Sequence, residues 1–185
     1  DRLDLVDWLF GPAAPLTARN LANTIWGRLF GQGIAEPVDD LGVRAPEPPA
    51  SPILDGLAAT LIDLGWSRKA LLREIVLSSV YRQATGMGKE ALGADSDAAY
   101  FTAQHRIRLE AESIRDVFLH AAGLLHEHVG GPSVFPPLDP DVAQQSYANN
   151  FSWRTSTAED RYRRGLYTFF KRTAPHPDLT TFDCP

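Results

Sequence analysis

The chain has 185 residues, 44% of them apolar and 10% aromatic, enough to bury a substantial core in one domain or a domain and a half. Its formal charge of −5 argues against long-range attraction to nucleic acid or to an anionic membrane, so any cationic site is local. No apolar run reaches the roughly 18 residues that span a bilayer, and a single cysteine excludes an internal disulfide.

Arg2 to Phe10 places Leu5, Val6, Leu9 and Phe10 at helical spacing before Gly11-Pro12, which predicts a short helix. A second helix is predicted from Leu16 to Phe30, where Ala18, Leu21, Ala22, Ile25 and Leu29 form an apolar arc extended by Trp26 and Phe30, with Gly31 as its stop. Gly31-Gln32-Gly33 follows a helix rather than a strand and therefore reads as a turn, not as a dinucleotide-binding loop. Glu36 to Ser51 carries Pro37, Pro46, Pro48 and Pro49 and reads as an irregular surface loop.

Ser51-Pro52 reads as an N-cap with proline in the first helical position, opening a helix through Leu57, Leu61 and Leu64 that ends at Gly65. Ser67 caps the next helix, whose apolar face runs through Leu71, Leu72, Ile75, Val76 and Val80 to Tyr81, so that 52–82 form a helical hairpin. The glycine-dotted stretch from Thr85 to Asp97 is the expected boundary between two halves. Beyond it, Leu109 to Leu125 sets Ile114, Val117, Phe118, Ala121, Leu124 and Leu125 in one arc, with Glu110 projecting into that arc. Gly130 to Pro140 is again proline-rich, and the polar run Gln144 to Asn150 is readable as either helix or loop.

The densest mixture of charge and rings is Ser156 to Pro177. Ser156 and Glu159 have the spacing of a capping box, which predicts a helix over about 157–172. Helical stepping gathers Tyr162, Leu166, Phe169, Phe170 and Thr173 on one side and Arg161, Arg164, Thr168, Lys171 and Arg172 on the other. Such a helix packs its rings inward and leaves a cationic face that is either solvated or an anion site, because paired guanidinium forks suit a carboxylate, phosphate or sulfate. A buried Glu110 would require a cationic partner, and Arg161 or Arg164 could supply it. The alternative is that Glu110 lies in the first helical turn, reaches water and favours the helix dipole. His120, His126 and His128 lack a third ligand at metal spacing, so no metal site is assigned. Cys184 with His176 has no discernible orienting third group and reads as inert, and neither a haem-attachment motif, a nucleophile elbow nor a P-loop occurs. Arg161-Tyr162-Arg163-Arg164 with Tyr167 and Phe169 has the composition of a single-strand-binding surface, but a helix would send the rings away from the charges.

Five motifs in order, NLANTIWGRLFGQGIAEPVDDLG (20–42), EPPASPILDGLA (47–58), GWSRKALLREIVLSSVYRQ (65–83), RIRLEAESIRD (106–116) and EDRYRRGLYTFFKRTAPHPDLTTFDCP (159–185), resemble the planctomycete-type domain of unknown function found with cytochrome c modules. The chain departs from that pattern at Thr24, Ser51 and Phe170, where the family tends towards arginine, histidine and tryptophan. The resemblance implies an exported or periplasmic polypeptide of several domains, with a cytochrome c module among the partners in the same polypeptide and haem held there rather than in this segment. It also implies a pattern continuing past Pro185, and the opening at Asp1 without methionine fits a piece of one larger helical domain. It carries no catalytic residues.

Together these readings predict a mainly α-helical domain of irregular architecture, with long proline-rich loops and few or no strands. The leading functional expectation is a structural or domain-organising module without a nucleic-acid partner. The competing one is an enzyme or binder for an anionic or carbohydrate-like substrate, built on Arg161, Arg164, Lys171 and His176 around a pocket, with Glu110 and Arg172 as further members of the charged set.

Overall fold

The structure, a computed structural model, describes residues 1–38, 40, 41, 46–84, 101, 104, 106–144, 152–172 and 175–182. Among the described residues there are seven α-helices and two short 3-10 turns and no named strand, so the mainly α expectation holds. The helices are α1 (Arg2–Phe10), α2 (Ala14–Phe30), α3 (Ser51–Asp63), α4 (Arg68–Leu77), α5 (Ala111–Ala121), α6 (Pro140–Gln144) and α7 (Pro177–Thr181). The chain divides into two compact units, Asp1–Ile107 and Arg108–Pro185. The boundary expected over 85–97 lies outside the described residues, as do 145–150 of the polar run and Cys184.

In the first unit the apolar spacing of α2 and α3 does what it predicts. Ala18, Ala22, Ile25, Trp26 and Phe30 from α2 meet Leu54, Ala58 and Leu61 from α3 in one buried cluster that α4 completes with Leu71 and Ile75. Small residues at 18, 22 and 58 let the helices approach, and Trp26 fills the remaining volume by stacking on Phe30 with ring centroids 4.1 Å apart. Helix α2 ends at Gly31, whose φ of +82° is the left-handed cap expected of it. The loop that follows is clamped by Asn23, a fully buried side chain on α2. Its Nδ2 donates to the Ala35 carbonyl (2.8 Å) and its Oδ1 accepts from the Ala35 N–H (3.0 Å), so one amide satisfies both backbone groups of one residue.

Two helix ends differ from expectation. Ala50, not Ser51, is the N-cap of α3, and Ser51 lies buried in the first turn without a side-chain capping bond. Ser67 caps α4 as predicted, accepting from the Ala70 N–H at 3.3 Å, but α4 stops at Leu77 rather than running to Tyr81. The Ser78 hydroxyl donates to the Ile75 carbonyl (2.7 Å) and accepts from the Tyr81 N–H (3.3 Å), and these local bonds compete with helix continuation.

The second unit departs most from the sequence reading. The predicted helix over 157–172 does not form. Ser156 does not cap it: its N–H donates to the Phe135 carbonyl and its hydroxyl accepts from the Phe135 N–H, both at 2.9 Å. Glu159, the other half of the expected capping box, faces His126 at 3.6 Å. Instead Ala158–Tyr162 and Gly165–Tyr167 are separate 3-10 turns, and the extended backbone between and after them runs parallel to 126–134. The His126 N–H donates to the Tyr162 carbonyl (3.0 Å), the Val134 N–H to the Tyr167 carbonyl (2.7 Å) and the Phe169 N–H to the Val134 carbonyl (2.8 Å). Backbone groups that a helix would have paired locally are paired across the unit. Rings and cations are therefore interleaved: Leu166 and Phe170 are exposed, whereas Arg163 is 2% exposed. A second aromatic cluster forms where Phe135 stacks on Phe169 (4.8 Å) and Trp153 meets Phe135 edge-on (5.1 Å).

Candidate functional site

In the second unit, helix α5 leaves much of its apolar face exposed, as α1 does in the first. The expected arc is present, but the helix is shorter than 109–125, and Ala111 is its only buried residue. Val117 is 54% and Phe118 64% exposed. Gly165 lets the second 3-10 turn press against the N-terminal part of α5, where a β-carbon would lie 2.5 Å from the Glu112 Cα and carbonyl oxygen. The C-terminal part of α5 and the segment after it enclose an open groove of about 600 Å3, floored by Val117, Ala121, Leu125 and Val129. Its polar rim is Asp116, His120, Glu127 and Arg164.

Arg164 is the one member of the predicted cationic set that reaches this rim. Its Nε donates to Asp116 Oδ2 at 2.7 Å, while Asp116 Oδ1 accepts the Gly165 N–H at 2.6 Å. The hydrogen bond to Asp116, reinforced by that carboxylate's charge, raises the Arg164 guanidinium above its ordinary value, and Tyr167 and Glu127 add to the effect. Glu127 itself is exposed and, among the described residues, makes no hydrogen bond or ion pair.

The remaining predicted residues do not gather there. Glu110 is not buried in the apolar arc: it is exposed at the N-cap of α5, where its carbonyl accepts from the Ile114 N–H at 3.0 Å, which is the first-turn alternative. The carboxylate on Arg164 is thus Asp116, one turn and a half further along. Arg161 donates through Nε to the Ala158 carbonyl (3.1 Å), and its own carbonyl accepts from Arg115 Nη2 (2.8 Å). Burial pushes the Arg115 guanidinium below its ordinary value, against the opposing charges of Asp178 and Asp116. Lys171 is half-buried and Arg172 exposed. His176 is buried beside Trp153 at 5.6 Å, accepts the Asp178 N–H on Nδ1 at 3.3 Å and so begins α7, with Nε2 3.5 Å from the Pro137 carbonyl. Arg161, Arg164 and His176 thus each have different partners. Among the described residues no three His, Cys, Asp or Glu side chains are grouped to hold a metal ion, and no helix is long and apolar enough to cross a membrane.

The residue that sequence reasoning missed is Arg163. Its Nη1 donates to the Pro132 carbonyl (3.1 Å), and its Nη2 to the carbonyls of His128 (3.2 Å) and Gly130. The Tyr167 ring covers the guanidinium at 3.9 Å, and the Tyr167 hydroxyl accepts the Gly130 N–H at 2.8 Å. One buried fork and one ring therefore fix the 128–132 loop, which carries Val129 to the groove. A usable signal was the pair Gly130-Gly131, both at positive φ, with a β-carbon on Gly131 coming within 3.5 Å of Arg163 Nη1.

Compared with protein families, residues 1–185 match the model of PSD1, described as a protein of unknown function (DUF1553). The chain belongs to the PSD1 family. No curated protein and no solved structure gives a detectable match. The PSD1 match spans both compact units.

Proposed function

We propose that this PSD1 chain is a domain-organising module whose docking face is the groove along α5. The observation that carries this reading is the exposure of Val117 and Val129 in a groove whose helix is packed against Gly165 at Glu112 and tied to the Gly165 N–H through Asp116. A fixed, apolar, open surface suits a protein neighbour, since large exposed apolar patches mark interaction sites. The dispersal of Arg161, Arg164 and His176 to different partners favours this role over the anionic or carbohydrate-like substrate pocket. The neighbours, in this reading, are other domains of an exported polypeptide, a cytochrome c module among them; that part rests on the resemblance of the five sequence motifs alone.

The test is side-chain footprinting of the 185-residue chain against its full polypeptide. Labelling of Val117, Leu125 and Val129 falls several-fold in the full polypeptide if another domain covers the groove. Equal labelling in both overturns the docking role.

A further inference from the structure

The rim of the groove narrows the chemistry of its occupant. Asp116 and Arg164 pair at 2.7 Å, while Glu127, near enough to act on the same guanidinium through its charge, makes no hydrogen bond or ion pair among the described residues. Two carboxylates against one guanidinium, with His120 on the same rim, present a net negative edge over an apolar floor, on a chain whose formal charge is −5. The loop wall offers side chains rather than a strand edge, because the carbonyls of His128, Gly130 and Pro132 already accept from Arg163, and the Gly130 N–H already donates to the Tyr167 hydroxyl. An extended peptide would find few backbone partners there. A helix laid beside α5 needs none, since its own backbone is satisfied internally. Helix α5 has 11 residues, a length of roughly 16 Å at 1.5 Å per residue, which matches about three turns of a partner.

We infer that the occupant of the α5 groove is a basic amphipathic helix of a protein partner, its apolar stripe on Val117, Ala121, Leu125 and Val129 and a lysine or arginine beside Glu127. This inference rests on the docking reading above and specifies its partner. Opposite charge at the rim chooses among partners and speeds their encounter, while the apolar floor supplies contact area. An anionic lipid surface is disfavoured by the same charge.

The test uses the whole 185-residue chain and two synthetic amphipathic peptides with the same leucine stripe, one flanked by lysines and the other by glutamates. Methyl NMR shifts of Val117, Leu125 and Val129 report binding. The lysine peptide is expected to bind at these methyls at least about tenfold more tightly than the glutamate peptide, with a preference that shrinks as salt rises. Glu127→Lys, at an exposed position without a bond among the described residues, reverses the preference; Val129→Asp weakens both peptides. Equal binding, preference for the glutamate peptide, shifts away from α5, or the same shifts with decanoate alone overturn the inference. Footprint protection in the full polypeptide without a lysine preference removes this assignment and leaves the docking role. A lysine preference without such protection supports a separate basic partner and removes the role for a neighbouring domain.

Discussion

At the scale of single residues, the charged side chains of 159–164 sort by what surrounds them rather than by which helical face they would share. Arg163 is buried and bonded to three carbonyls, so truncating it strands acceptors as well as removing a cation. Arg163→Met is expected to cost about 3 kcal/mol of stability, measured as a lowered urea midpoint at unchanged m-value. Tyr167→Phe loses only the acceptor for the Gly130 N–H and should cost about 1 kcal/mol in the same assay. Arg164, half exposed on Asp116, behaves differently: Arg164→Gln should cost under about 1 kcal/mol, and the loss should shrink in high salt. Its folded-state value is raised, so its contribution is fully present below the ordinary arginine range and is lost only as pH rises beyond it; a titration from pH 6 to 9 should not reveal it. Asp116→Ala is more costly, at about 2 kcal/mol, because the Gly165 N–H loses its acceptor too.

At the scale of elements, Gly165 and Asn23 hold their units together by close approach. A methyl at Gly165 would meet the Glu112 backbone at 2.5 Å, and neither backbone can yield as a flexible side chain could. Gly165→Ala is therefore expected to destabilise by at least about 2 kcal/mol and to raise hydrogen exchange through α5. Sequence periodicity reads α2 to α4 well because their partners are near in the chain and their apolar arcs face one another, as at Ala22, Ala58 and Leu61, whereas the arc of α1 is mostly exposed. The caps at Gly31 and Ser67 are local chemistry and were equally legible. Residues 157–172 were not, because Ser156 has a choice between capping a helix and pairing with Phe135, 21 residues away, and the tertiary pair wins. The groove was half visible: the arc of Val117 and Ala121 could be read, but exposure of that arc is a property of the packed unit and leaves no mark in its spacing. Glu127 and Val129, outside any periodic segment, gave no signal at all.

For the whole molecule, family membership spans a chain that packs as two units with separate aromatic clusters, Trp26–Phe30–Phe101 in one and Phe135–Trp153–Phe169 in the other. Asn23→Leu removes both bonds to Ala35 from the first, and Arg163→Met removes the fork from the second. With all other tryptophans replaced by phenylalanine, Trp26 fluorescence should follow the first substitution and Trp153 fluorescence the second, each lowering its own midpoint the more. Equal shifts at both reporters in both variants would mean that one cooperative core governs the chain. The guanidinium clasp on the 128–132 loop has one more consequence. Amide oxygens take up no proton in the range where carboxylates titrate, so a grip made on three of them does not loosen on acidification, and Val129 keeps its station in acid media that would dissolve a bridge built on aspartate or glutamate.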